Sequence, residues 1–292
     1  MLSIEVAGIK MKNPLMLASG ILDLTKESME RIGKIAGGVV TKSVGIEERA
    51  GYKNPTVYEV ECGLLNAIGL ANPGIDEYIK EIKDIKLDVL IGSIFGKNEN
   101  EFGYLARKFS PYVKAIEMNM SCPHAKNVGA EYPVEEIENA VHEAKKSNLP
   151  VFVKLGMENI IEKATKVIEG GADGIVAINS VKGMAIDIDA KMPVLGNKVG
   201  GYSGKAIKPI GIRCVYEIAS NFDVPVIGVG GITNARDAIE YMMAGASAVQ
   251  IGSGIYYEGI EIFKKICDEM KIWLDKNGYT NIKDIIGVAL RK

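Results

Sequence analysis

The residue types best suited to chemistry gather in the stretch 114–124, KAIEMNMSCPH, where an apolar run gives way to Asn119, Ser121, Cys122 and Pro123. A free cysteine is most often a small buried hydrophobe. Here the thiol falls where the chain leaves a strand-like run, the place where α/β enzymes keep their reactive groups. A thiolate there can act as a base or nucleophile if its setting lowers its pKa. Two lysines pose a related question. Lys42 in GVVTKSVG and Lys154 in VFVKLG interrupt apolar runs, and an ammonium buried without a partner is costly. Each must meet either a structural carboxylate or an anionic, electron-rich ligand. Asn66, Asn119 and Asn179 carry paired donors and acceptors that match a planar amide or imide ring. Turn formation is the commoner role of asparagine, and it is the reading preferred for Asn72 before Pro73. Finally, VIGVGGITNARDA and AVQIGSGIYYEG place Gly230-Gly231 and Gly252-Ser253 at strand ends ahead of helices. Glycines there let backbone N–H groups approach a phosphate. The plainer alternative is that they make tight strand–helix turns.

What could position these groups is an alternation repeated down the chain. Short runs rich in Val, Ile and Leu occur at 15–18, 38–41, 88–91, 115–118, 151–155, 174–178, 224–229 and 248–251. Such runs read as strands buried on both faces, hence parallel. Helical periodicity follows them at 27–35, 74–83, 98–109, 134–147, 160–169, 209–220, 234–244 and 260–276. Thr233 or Asn234 can cap one helix, and Pro133 and Pro209 suit first turns. Eight strand–helix units within 292 residues describe an α/β (β/α)₈ TIM barrel, formed by residues 1–292 as a single domain. An open doubly wound sheet is the other architecture of this pattern. Three connections, 42–73, 119–133 and 179–208, exceed ordinary loop length, and in a barrel all three lie on the C-terminal face. The opening segment 2–14 is expected to form a small hairpin closing the bottom. Ser19-Gly20, Lys42-Ser43, Ser93, Asn119 with Cys122, Lys154, Asn179-Ser180, Gly230-Gly231 and Gly252-Ser253 then ring one cavity. Two lysines beside a phosphate pocket suit a phosphorylated cofactor with an electron-rich ring.

Composition narrows the class. With 35 basic and 37 acidic residues well mixed, the net charge of −2 gives no footprint for nucleic acid or an anionic membrane. Cys62, Cys122, Cys214 and Cys267 form no CxxC, and the two histidines, His124 and His142, have no second ligand at a useful interval. No metal or iron–sulfur site is expected within this chain. Scattered thiols suit a reducing compartment. The N-terminus carries Glu5 without a long apolar run, and no stretch is long enough to span a bilayer. A cytoplasmic protein is expected. Cys62 and Cys214 read as packing residues, Cys267 as a helix residue, and His124 as a loop hydrogen-bonding group.

Taken together, TKSVG, NPTVYEVECGLLNAIGLANPG, EMNMSCPH, VFVKLG, AINS, GGYSGKAIKP and GVGGI resemble the class 1 dihydroorotate dehydrogenases across nearly the whole chain. SGKAIKP and the short CPHAKNVG loop are more similar to the 1B, NAD-linked catalytic subunit than to the fumarate-using 1A type. The resemblance implies an FMN-bound barrel that oxidises dihydroorotate to orotate in pyrimidine synthesis. By motif, it implies FMN contacts at Ser19, Lys42, Ser43, Asn119, Lys154, Ile178, Gly204, Gly230, Gly231, Gly252 and Ser253. Substrate contacts are implied at Lys42, Asn66, Ala67, Ile68, Gly69, Leu70, Asn119, Asn179 and Ser180, with Cys122 as the base. It further implies a homodimer joined to an electron-transfer subunit carrying FAD and a 2Fe–2S cluster, a heterotetramer that passes electrons to NAD. Two positions depart from the pattern: Ser93 stands where the family usually has Asn near the flavin, and His124 replaces the Asn often found after Cys-Pro. CPH also occurs in dihydropyrimidine dehydrogenases, which reduce uracil or thymine and form the enzyme alternative, although they lack the NAIGL segment. A non-catalytic FMN- or phosphate-binding barrel is the alternative from another class.

Overall fold

A computed structural model describes residues 1–120 and 132–290. Eight parallel strands close into a barrel. They are β1 (Leu15–Leu17), β2 (Gly38–Val40), β3 (Leu90–Ile94), β4 (Ala115–Asn119), β5 (Val151–Leu155), β6 (Gly174–Ala177), β7 (Val226–Val229) and β8 (Ala246–Ile251). They follow one another around the barrel in chain order, β8 pairing with β1 through Gln250↔Met16 and Ile251↔Leu17. Most strand positions are buried, because the inner face fills the barrel and the outer face meets helices. The sequence pattern therefore shows apolar runs rather than strict alternation.

The surrounding helices are α1 (Lys26–Gly33), α2 (Ile75–Ile82), α3 (Glu99–Phe109), α4 (Val134–Lys145), α5 (Ile160–Glu169), α6 (Lys208–Asn221), α7 (Ala235–Met243), the short α8 (Gly254–Glu258) and α9 (Ile262–Lys276). Their starts follow from capping chemistry. Asn98 accepts from the Glu101 amide at 3.1 Å, and Asn234 accepts from the Asp237 amide at 3.1 Å. Pro209 lies in the first turn of α6, where its missing N–H costs nothing.

Two boundaries differ from the sequence pattern in ways that matter. β3 runs to Ile94 rather than ending at 91, so Ser93 is an interior strand residue and fully buried. The expected helix 260–276 begins at Ile262, and α8 precedes it directly after Ser253. The N-terminal hairpin pairs Ile4–Val6 with Ile9–Met11 and sends Leu2, Ile4, Val6 and Met11 into the main core.

The long connections after β2 and β6 hold a sheet that apolar periodicity did not reveal. Strands Val57–Val60 and Gly63–Asn66 come from the first connection, and Val181–Gly183 and Gly200–Ser203 from the second. They form one antiparallel sheet in which Gly201 pairs with Asn66 and Tyr202 with Leu65. Beneath it Leu65, Ala67, Val194 and Leu195 make a small core of their own. Cys62 is exposed, not a packing residue: it occupies the turn between the first two of these strands with φ of 60°. Cys214 and Cys267 are buried in α6 and α9. Cys122 and His124 lie outside the described residues.

Candidate active site

The C-terminal ends of the barrel strands and the antiparallel sheet enclose a cavity of about 500 Å³, within the usual range for a small-molecule site. Its wall gathers residues far apart in sequence: Ser19, Lys42, Ser43, Asn119, Lys154, Ile178, Asn179, Ser180, Gly230, Gly231, Gly252 and Ser253, with Asn66 through Leu70 from the sheet. Gly204 stands just behind it. A Cβ built on Gly231 would lie 2.7 Å from the Gly204 carbonyl oxygen, and Gly231 has φ of +69°, so glycine is required there on two counts.

A chain of side-chain hydrogen bonds runs along one wall. Ser19 Oγ and Ser43 Oγ are 3.0 Å apart, and Ser43 Oγ and Ser93 Oγ 2.8 Å. Asn119 Nδ2 donates to Ser43 Oγ at 3.3 Å, while its Oδ1 accepts from Asn179 Nδ2 at 3.1 Å. Asn179 Oδ1 in turn accepts from the Ser180 amide at 2.9 Å. Strands β1, β2, β4 and the end of β6 are thus tied to one another at the depth of the cavity. Ser93 is not in the wall; it braces Ser43 from behind, and its amide bonds Thr41 Oγ1 at 2.9 Å. Asn72, read as a turn former, caps the turn before α2 by accepting from the Gly74 amide at 2.9 Å and the Gly45 amide at 3.2 Å.

Lys42 is 9% exposed, and its ammonium makes no hydrogen bond or salt bridge among the described residues. Its backbone is moored instead: the amide donates to the Tyr78 hydroxyl at 3.1 Å and to the Asp23 carbonyl at 3.3 Å. Tyr78 Oη, from α2, donates to that same carbonyl. Nearby, the buried Asp23 carboxylate accepts from the Gly20 amide at 2.5 Å. Burial pushes this carboxyl above its ordinary range, against the pull of Lys42. Lys154 has a different environment. It shares the cavity floor with Gln250, whose Oε1 accepts from its ammonium at 3.4 Å, and Glu117 stands 3.9 Å away beneath. Lys154 therefore has both a structural carboxylate nearby and a place in the cavity wall.

Residues 1–274 match the family model described as dihydroorotate dehydrogenase. The chain belongs to the dihydroorotate dehydrogenase family. It is 53% identical over 303 residues to a Methanocaldococcus jannaschii protein named dihydroorotate dehydrogenase B (NAD(+)), catalytic subunit, covering 99% of this chain and 98% of that one. Proteins of the same name from Pyrococcus abyssi and Thermoplasma acidophilum are 47% and 48% identical, with 100% and 99% of each chain covered. This dihydroorotate dehydrogenase family member has no group of three His, Cys, Asp or Glu side chains suited to a metal ion among its described residues. No helix among them is long and apolar enough to cross a membrane.

Sequence reasoning missed Glu117, Gln250, Asp23 and Tyr78. Glu117 and Gln250 carried the same signal that singled out Lys154, a polar residue within a buried strand. Asp23 and Tyr78 carried none, because a loop aspartate and a helix tyrosine are ordinary until the fold brings them to Lys42.

Proposed function

We propose that this chain is the catalytic subunit of an NAD-linked dihydroorotate dehydrogenase, oxidising dihydroorotate to orotate in pyrimidine synthesis. The observation that carries the reading is the family match over nearly the whole chain, joined to a cavity with a buried, cavity-facing ammonium at Lys42. The substrate's carboxylate supplies the anion that such an ammonium requires. Uracil and thymine have no carboxylate, which favours dihydroorotate over the pyrimidine-reducing alternative.

FMN fits the residues present. Gly230, Gly231, Gly252 and Ser253 offer a side-chain-poor cradle for its phosphate, and Lys154 brings a positive charge to the ring. When bound, FMN supplies the hydride acceptor for C6 of the substrate. The chain does the rest. Lys42 holds the carboxylate, and Asn66, Asn119 and Asn179 offer amide groups to the ring's amides. The hydrogen-bonded chain from Ser19 to Ser180 holds two of these, Asn119 and Asn179, in fixed orientation. Residues 67–70 and Ser180 complete the substrate wall, and Ile178 an apolar part of the cofactor's. Cys122 is the base that takes the C5 proton. We place the chain in the cytoplasm, as a homodimer joined to a partner subunit with FAD and a 2Fe–2S cluster, with NAD as final acceptor.

The test is anaerobic mixing of the FMN-loaded protein with dihydroorotate. Rapid bleaching of the flavin is expected. Cys122→Ala should keep FMN and lose rapid reduction at neutral pH; a variant reduced as fast as the parent would remove Cys122 from the mechanism. A parent protein that binds FMN but is not reduced would remove the substrate assignment.

A further inference from the structure

Below the cavity three buried polar side chains meet, and the proposed reaction uses only one of them. Glu117 on β4 and Gln250 on β8 are each 1% exposed, and Lys154 on β5 is 7% exposed. β4 and β8 stand on opposite sides of the closed barrel. The 2.5 Å hydrogen bond from Gln250 Nε2 to Glu117 Oε2 therefore crosses its interior. The other end of the same amide accepts from Lys154 Nζ at 3.4 Å. This fixes the amide's direction, because turning it over would set its NH₂ against the ammonium and its oxygen against the carboxylate. Glu117 Oε1 has no hydrogen bond among the described residues and lies 3.9 Å from Lys154 Nζ. Gln250 and Lys154 reach the cavity wall, whereas Glu117 does not. A carboxylate so deeply buried persists only against a matching charge, and Lys154 is that charge.

We infer that Glu117 is a positioning residue that acts through Gln250. It anchors the Lys154 ammonium at the cavity floor and offsets part of its charge, so that bound flavin meets a moderated field. This rests on the flavin reading above. Reduction adds negative charge to the flavin, and a bare ammonium would favour the reduced form more strongly than the Glu117–Lys154 pair does. Glu117 thereby holds the cofactor's potential low enough for electrons to leave.

The experiment is a measurement of the midpoint potential of bound FMN, with dissociation constants for its oxidised and reduced forms. Glu117→Gln should raise the preference for reduced over oxidised FMN at least tenfold, an upward shift of about 30 mV for a two-electron couple. An unchanged or lowered potential overturns the inference. A thermal-unfolding cycle on the flavin-free chain decides the pairing independently. Lys154→Met strands the carboxylate and should lower Tm, while Glu117→Gln/Lys154→Met should regain more than half of that loss. Losses that simply add would overturn the inference too. Parent protein that takes up no FMN would instead count against the flavin reading, while the unfolding cycle still decides the charge pair.

Discussion

Replacing Gly252 with alanine should leave the flavin-free protein intact and weaken its hold on FMN. An ideal Cβ at this position has one neighbour within 4 Å, the Ala18 Cβ at 3.6 Å, which is ordinary van der Waals contact. The backbone there is not in the left-handed region, unlike that of Gly230 and Gly231. Alanine therefore fits without strain, and its stiffer unfolded chain should add about 0.4–1 kcal/mol of stability. For a chain of this size that is a Tm higher by roughly 1–4 °C. Residue 252 follows β8 directly and lines the cavity together with Gln250, so the new methyl occupies space assigned to the cofactor. Overpacking of this kind costs about 1–3 kcal/mol, which is about 5- to 150-fold in FMN dissociation constant. Fluorescence titration with FMN and thermal unfolding of the flavin-free chain read the two effects separately. Unchanged FMN affinity would remove Gly252 from the cofactor cradle, and a fallen Tm would refute the steric reasoning. Gly231→Ala is the contrasting control. With φ of +69° and the Gly204 carbonyl 2.7 Å from its Cβ, it should destabilise the chain even without flavin.

Tyr78→Phe removes the hydroxyl that joins the Lys42 amide to the Asp23 carbonyl. Because that amide and carbonyl still bond each other at 3.3 Å, the loss should be only about 1–2 kcal/mol, seen as a lower Tm, with the dihydroorotate KM rising more than kcat falls. Asp237→Asn should loosen the loop after β7, where the carboxylate holds Thr233 through its amide and hydroxyl at 3.0 Å and meets Lys208 at 2.8 Å. Burial pushes the Asp237 carboxyl up, but its bonds to Lys208 and Thr233 outweigh that and hold it below the usual carboxylate range. The stability it contributes is therefore complete above the ordinary aspartate pKa and lost as pH falls through the lower folded-state value. Acid unfolding of parent and variant should converge there, and a gap that persists at the acid end would refute this account. Burial pushes the Cys214 and Cys267 thiols up to about 11 each, so brief alkylation at neutral pH should spare both while labelling exposed Cys62. Peptide mass mapping reads this directly.

The barrel was legible because each of its strands is an apolar run followed by helical periodicity, a pattern that long-range context does not override. The lysines and glycines of the cavity were legible for a related reason, since a charge or a glycine pair at a buried strand end is conspicuous. Ser93 was misplaced by a strand boundary of a few residues, which turned an interior residue into an apparent rim residue. The antiparallel sheet was illegible for a deeper reason. Val57–Val60 is largely exposed and Gly200–Ser203 is half glycine, so neither shows the apolar alternation of a strand. Gly200–Ser203 is a strand through its pairing with Gly63–Asn66, more than a hundred residues away, which no local window contains. Val57–Val60 pairs with Gly63–Asn66 across a two-residue turn but carries no alternation to mark it. Cys62 belongs to the same local hairpin, whose exposed first strand shows no alternation, so nothing in the sequence marked it as the turn residue it is.

That pairing also sets an order of events as the chain is made. When Gly63–Asn66 emerges during synthesis, its only available sheet neighbour is Val57–Val60, and its other edge stays open until Gly200–Ser203 follows. Asn66 Nδ2 likewise waits for the Gly201 carbonyl, its acceptor at 3.2 Å. Pairings so distant along the chain are slow to form, and an open edge in the interval is exposed to wrong partners. The rim of the cavity is therefore assembled after most of the barrel wall has been synthesised, and truncated chains ending before residue 200 should carry most of the barrel without a finished mouth.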